Sequence, residues 1–199
     1  VTTPTDRRSS GAGHILISGT GRAGTTLLVK LFTVLGFDTG FSADEIAHTD
    51  VGLERVSEEE PLPYVIKSPL YTKFIGSCLD KRSLAIKCCI IPVRRLFDAA
   101  ESRRRIYREV PENQLGTLWM TNNPDDQEAV LVLQFYKLIE ALVRHGVPIH
   151  FLFFPAFIES AEALYDGLRP ILEEHGVSRA ESDSAYRSVV DLRLVHQFG

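Results

Sequence analysis

Two rhythms of apolar residues alternate along the chain between residues 14 and 176. Short unbroken runs, read as β-strands, occur at residues 14–18 (HILIS), 64–67, 84–93 (LAIKCCIIPV) and 149–154 (IHFLFF). The third is apolar almost throughout, as a strand covered on both faces would be, and Pro92 marks its expected end. Between the runs, apolar residues recur at three- and four-residue spacing, which predicts helices over 25–35, 96–107, 125–145 and 157–175. Gly36 and Gly176 close the first and last of these. Strand, helix, strand, helix implies right-handed crossovers and a mostly parallel sheet, so the expected fold class is α/β with three α/β/α layers. In such folds ligands sit beyond the carboxyl ends of the strands. The stretches 37–63 and 108–124 show no clear period, and long loops of this kind often build a binding pocket.

Length and composition narrow the classes. A chain of 199 residues suits one domain, here residues 14–199 behind a loose polar leader at 1–13. A net charge of −4 gives no global reason to expect nucleic acid as a partner, so an anionic ligand would have to be attracted by local geometry. No run approaches the roughly 18 apolar residues that cross a bilayer, and the leader lacks the apolar centre of a secretion signal. A soluble, cytoplasmic chain is expected, with a signal or anchor upstream of Val1 left open. Cys78, Cys88 and Cys89 have no zinc-ligand or disulfide-framework spacing, and Cys88 and Cys89 read as buried thiols. His14, His145, His150, His175 and His196 are scattered with no metal spacing.

The sharpest local signal is Gly19-Thr20-Gly21-Arg22-Ala23-Gly24-Thr25-Thr26, placed where the first strand hands over to the first helix. Glycines there let the backbone approach an anion, and the N–H groups of the turn and the positive end of the helix point toward it. The spacing fits GxxxxGK[ST] except that Thr25 stands at the lysine position. The cation of the loop is instead Arg22, and no apolar strand ends in an Asp suited to hold Mg²⁺. These departures favour a phosphate ester bound without metal.

Arg22-Ala23-Gly24-Thr25-Thr26 resembles the [KR]-x-G-[ST]-[ST] loop of the sulfotransferase superfamily, whose donor is 3′-phosphoadenosine 5′-phosphosulfate (PAPS). Arg94 and Ser102, eight residues apart at the third strand's end and in the next helix, are similar to that family's 3′-phosphate motif. Asp98 also falls where the family has Asp, although Leu96 replaces its usual Pro. Lys67-Ser68-Pro69-Leu70-Tyr71 resembles the K-[ST]-P-x-Y of carbohydrate sulfotransferases, with Pro69 where the enzymes acting on small phenols carry a His.

The resemblance implies sulfuryl transfer from PAPS to a hydroxyl or amine of a carbohydrate, lipid or small-molecule acceptor, with no metal required. Gly21, Arg22, Ala23, Gly24, Thr25 and Thr26 would hold the 5′-phosphosulfate, and Arg94 and Ser102 the 3′-phosphate. Arg22 would also stabilise the leaving phosphate, and Lys67 would stand beside the sulfuryl group. For the base that takes the acceptor's proton, the family's glutamate beyond the phosphate loop points to Glu45, with His48 as substitute. Plainer readings stand beside these: Asp44 and Glu45 as first-turn acids of a helix, Lys67 and Arg94 as strand-end cations, and Arg103, Arg104, Arg105 and Arg108 as a solvated helix face. A Mg-dependent kinase or NTPase and a non-catalytic nucleotide-binding module are the rival functions.

Overall fold

Side-chain alternation along each strand sets two cores on opposite faces of one sheet. The computed structural model describes residues 13–49, 53–54, 62–109 and 117–194. Strands β1 (His14–Ile17), β2 (Val65–Lys67), β3 (Ile86–Val93) and β4 (Ile149–Phe153) form a four-stranded sheet in the order β2-β1-β3-β4, with every pairing parallel. Ile15, Ile17, Val65, Cys88, Ile90 and Leu152 face one core, while Leu16, Ile66, Cys89 and Ile91 face the other, as the two-residue period of a strand requires.

Helices cover both faces. The first core is closed by α1 (Thr25–Val34), α6 (Ala156–Glu159), α7 (Ala161–Glu174) and α8 (Arg179–Val189), through Leu28, Leu31, Phe32, Phe157, Leu164, Leu168 and Tyr186. The second is closed by α3 (Tyr71–Asp80) and α5 (Gln127–Arg144), through Tyr71, Ile75, Leu79, Leu138 and Leu142. A further helix, α4 (Leu96–Glu109), lays Ala99 and Ala100 against Leu131 of α5, and α2 (Ala43–Ala47) is a single short turn after α1. This is the α/β architecture with a parallel sheet between helical layers that the alternation predicts.

The differences from expectation have local causes. The expected helix over 157–175 is two helices, because Ser160 leaves helical geometry and its hydroxyl caps α7 by accepting from Ala163 N at 3.2 Å. Ahead of α5 a 3-10 turn, Pro124–Asp126, takes up the first residues of the expected helix. Helix α3 was not anticipated, although its buried Tyr71, Ile75 and Leu79 follow a four-residue period. Neither was α8, whose buried face is only Ser182, Ala185 and Tyr186; its readable signal is the Ser178–Glu181 capping box.

Pro92 lies inside β3 rather than ending it. Ser18 N donates to Ile90 O and Cys89 N to Pro148 O, so successive residues of β3 bond to opposite neighbours. Pro92 therefore turns its nitrogen toward β1, whose last paired residue, Ile17, is already opposite Ile90. No rung is lost there. Cys88 and Cys89 are buried and all three cysteines are free. Residues 1–12, much of the stretches 37–63 and 108–124, and His196 lie outside the described residues. No helix among the described residues is long and apolar enough to cross a membrane.

Candidate anion-binding site

The chain leaves β1 for β2 on one side and returns past it to β3 on the other, so the sheet has its topological switch point between β1 and β3. The glycine loop starts at that crevice. Gly19, Gly21, Arg22 and Gly24 all take positive φ, at 142°, 69°, 55° and 82°, which folds residues 19–24 into a concave turn ahead of α1. Gly24, the N-cap of α1, must be glycine for a second reason. A Cβ there would lie 2.8 Å from both Phe157 Cζ and Ile158 Cδ1. No side chain caps α1 and no acid occupies its first turn, so the first amides of the helix keep their affinity for an anion. Thr25 is buried at the helix start and Ala23 is buried in the loop, while Arg22, Gly24 and Thr26 are half-buried.

Around this loop the structure gathers cations from three strand ends and one helix. Arg22 makes no ion pair or side-chain hydrogen bond among the described residues, and burial, with Arg105 nearby, holds its guanidinium below the usual arginine range. Arg94, just past β3, donates from Nη1 to the main-chain carbonyl of Arg22 at 2.8 Å and stacks 4.8 Å above Phe154. Burial depresses its affinity for a proton as well; Asp98 opposes that shift, and Arg22 adds to it. Lys67, the last residue of β2, is buried and its Nζ pairs with Glu54 Oε1 at 3.0 Å. Burial lowers the Lys67 pKa; Glu54 opposes that shift, and the charge of Arg22 reinforces it. Ser68 Oγ stands 3.5 Å from the other oxygen of Glu54.

Glu45 lies in the short helix α2 and His48 at its end. Glu45 is the third residue of the Ser42 capping box: its Oε2 accepts from Ser42 N at 2.7 Å and from Ser42 Oγ at 2.9 Å, on an exposed turn. His48 is the exposed C-cap of the same helix. The plain reading of Glu45 as a helix-start acid accounts for these capping bonds, and Glu54 carries a carboxylate that pairs with Lys67. Ser102 is buried on α4. Asp98, one turn earlier, is buried 3.8 Å from Arg95.

The arginine run of α4 is not a uniformly solvated face. Arg108 is exposed, but Arg103 is only 6% exposed and Arg104 reaches Glu101, Glu128 and the Pro124 carbonyl. Arg103 donates from Nη2 to Thr20 O at 2.7 Å, and its guanidinium lies 5.0 Å from the Trp119 ring. Sequence reading missed both Glu54 and Arg103. For Arg103 a signal exists, since it follows the buried Ala99 and Ala100 by four and three residues on one helix face. Glu54 has none, being one of several acids between residues 50 and 60.

Together these groups can receive a multiply charged anion on backbone amides, ringed by guanidinium and ammonium groups. The Glu54 carboxylate stands within reach of the ammonium. Among the described residues no group of three or more His, Cys, Asp and Glu could hold a metal ion. Compared with protein-family models, with curated proteins and with solved structures, the chain matches none.

Proposed function

We propose that this chain is a PAPS-dependent sulfotransferase. The observation that carries the proposal is the convergence of Arg22, Lys67 and Arg94 on an uncapped glycine loop at the switch point of a parallel sheet. An ATP-hydrolysing loop would need a lysine at Thr25 and a metal, and Thr25 supplies only a hydroxyl. In the reaction, the bond between sulfur and the donor's bridging phosphate oxygen breaks while sulfur bonds to the acceptor oxygen or nitrogen. Arg22 and the loop amides stabilise the charge that develops on the departing phosphate, and Lys67 neutralises the sulfuryl oxygens. The acceptor's proton goes to Glu54, which replaces Glu45 in that role because Glu54 touches Lys67 and Ser68. Arg94 and Ser102 remain the proposed holders of the 3′-phosphate.

A thermal-shift measurement tests the assignment. With the product nucleotide 3′-phosphoadenosine 5′-phosphate (PAP) at about 100 times its Kd, stabilisation is about 2.7 kcal/mol. For a domain of this size that raises Tm by roughly 5–10 °C. The rise is expected with EDTA present. A rise with ATP and Mg²⁺ but none with PAP overturns the proposal in favour of a kinase or NTPase.

A further inference from the structure

Arg103 is a buried charge with no direct ion-pair partner: Glu54 acts on it only through space, and that carboxylate is already paired with Lys67. Its residue exposure is 6%, its Nε has no hydrogen-bond partner, and no carboxylate forms an ion pair with it among the described residues. Among the described residues its guanidinium donates to a neutral carbonyl, Thr20 O, and lies against the face of Trp119. Desolvation, with Arg22 nearby, lowers its pKa to about 10 although the charge of Glu54 opposes the shift. An ion in this position is costly unless something compensates it, so a neutral side chain that keeps the hydrogen bond relieves that cost in the unliganded fold. The guanidinium also lies directly behind the anion loop: a Cβ on Gly21 would sit 2.7 Å from Arg103 Nη2.

We propose that the ligand supplies the counter-charge that no direct partner gives: Arg103 is a buried positioning cation whose charge is neutralised by a phosphate-class anion bound on the loop at residues 19–26. This rests on the reading of that loop as an anion site, though not on the donor being PAPS. Arg103 needs no contact with the ligand. It holds the Thr20 carbonyl back from the cradle, and across the glycine turn it contributes a field that bulk water screens little. Apo stability and anion affinity are thereby set against each other at one residue.

The chain's single tryptophan is the one stacked on Arg103, so its emission reports on this guanidinium without a label. The experiment titrates wild type, Arg103→Lys and Arg103→Gln with PAP and with inorganic pyrophosphate, following Trp119 fluorescence, and measures Tm of each without ligand. Lys keeps the charge; Gln keeps a donor for Thr20 O and loses the charge. The expected result is at least a tenfold loss of affinity for both probes in Arg103→Gln, with apo Tm unchanged or raised, and affinity within a few-fold of wild type in Arg103→Lys. A purely structural arginine would instead lower Tm in both variants and leave affinity alone, which overturns the proposal. Equal affinity in wild type and Arg103→Gln overturns it too while leaving the loop's role intact. If wild type binds neither probe, the anion-site reading fails and takes this inference with it. If pyrophosphate binds and PAP binds no better, only the donor assignment falls.

Discussion

At the scale of single residues, the proposed choice of base rests on the different contacts of Glu45 and Glu54. Both are acids in the stretch after α1, but one satisfies a helix end and the other pairs with Lys67. Glu54→Gln is expected to keep PAP affinity within a few-fold and to lower turnover about 10²-fold or more, in line with loss of a general base. Glu45→Gln retains a capping-box side chain and is expected to leave turnover within twofold, at a stability cost of at most about 1 kcal/mol. Steady-state kinetics of the two variants with one acceptor checks the pair; normal turnover in Glu54→Gln with loss in Glu45→Gln would reverse the assignment. Glu54 was illegible in the sequence because it lies thirteen residues from Lys67, among other acids and with no periodic element to place it.

At the scale of elements, the loop is held from three directions. Arg94 grips the Arg22 carbonyl from the end of β3, Arg103 grips the Thr20 carbonyl from α4, and Phe157 and Ile158 of α6 pack against Gly24. The short α6 is itself fixed from α8, since the Tyr186 hydroxyl donates to Ile158 O at 2.6 Å in a buried contact. Tyr186→Phe removes that donor and leaves the carbonyl unpaired, so a loss of about 1–2 kcal/mol is expected in urea unfolding. Because Ile158 backs the loop, PAP affinity is expected to weaken as well; an unchanged midpoint and affinity would show that α8 does not brace the site. The helix carrying Tyr186 was invisible to hydrophobic periodicity, because a short polar element that buries one aromatic and two small residues leaves no apolar stripe.

At the scale of the whole molecule, β3 runs through the centre of the sheet and is covered on both faces, while Phe151 and Phe153 of the edge strand β4 stay exposed. Cys89 is fully buried on β3, and burial pushes the Cys88 thiol up to about 11, so neither is a nucleophile at neutral pH. A thiol reagent is expected to label the half-exposed Cys78 in native protein, and Cys88 and Cys89 only as fast as the domain opens globally. Labelling rates with and without denaturant, resolved by mass spectrometry, check this; equal rates for all three in plain buffer would contradict the cover over β3. The sequence by itself determined the alternation of strands and helices, the parallel sheet it implies, and the position of the glycine loop between β1 and α1. Those features depend on residue types and spacings within one or two turns or strands, where chain geometry leaves few options. Only the tertiary structure decided that Arg103 is buried behind Gly21, that Pro92 can sit inside a central strand, and that Glu54 meets Lys67. Each of those depends on crossovers that bring segments from different strand ends into contact, and the cost of burying a charge or omitting an N–H is set by neighbours that sequence spacing does not name.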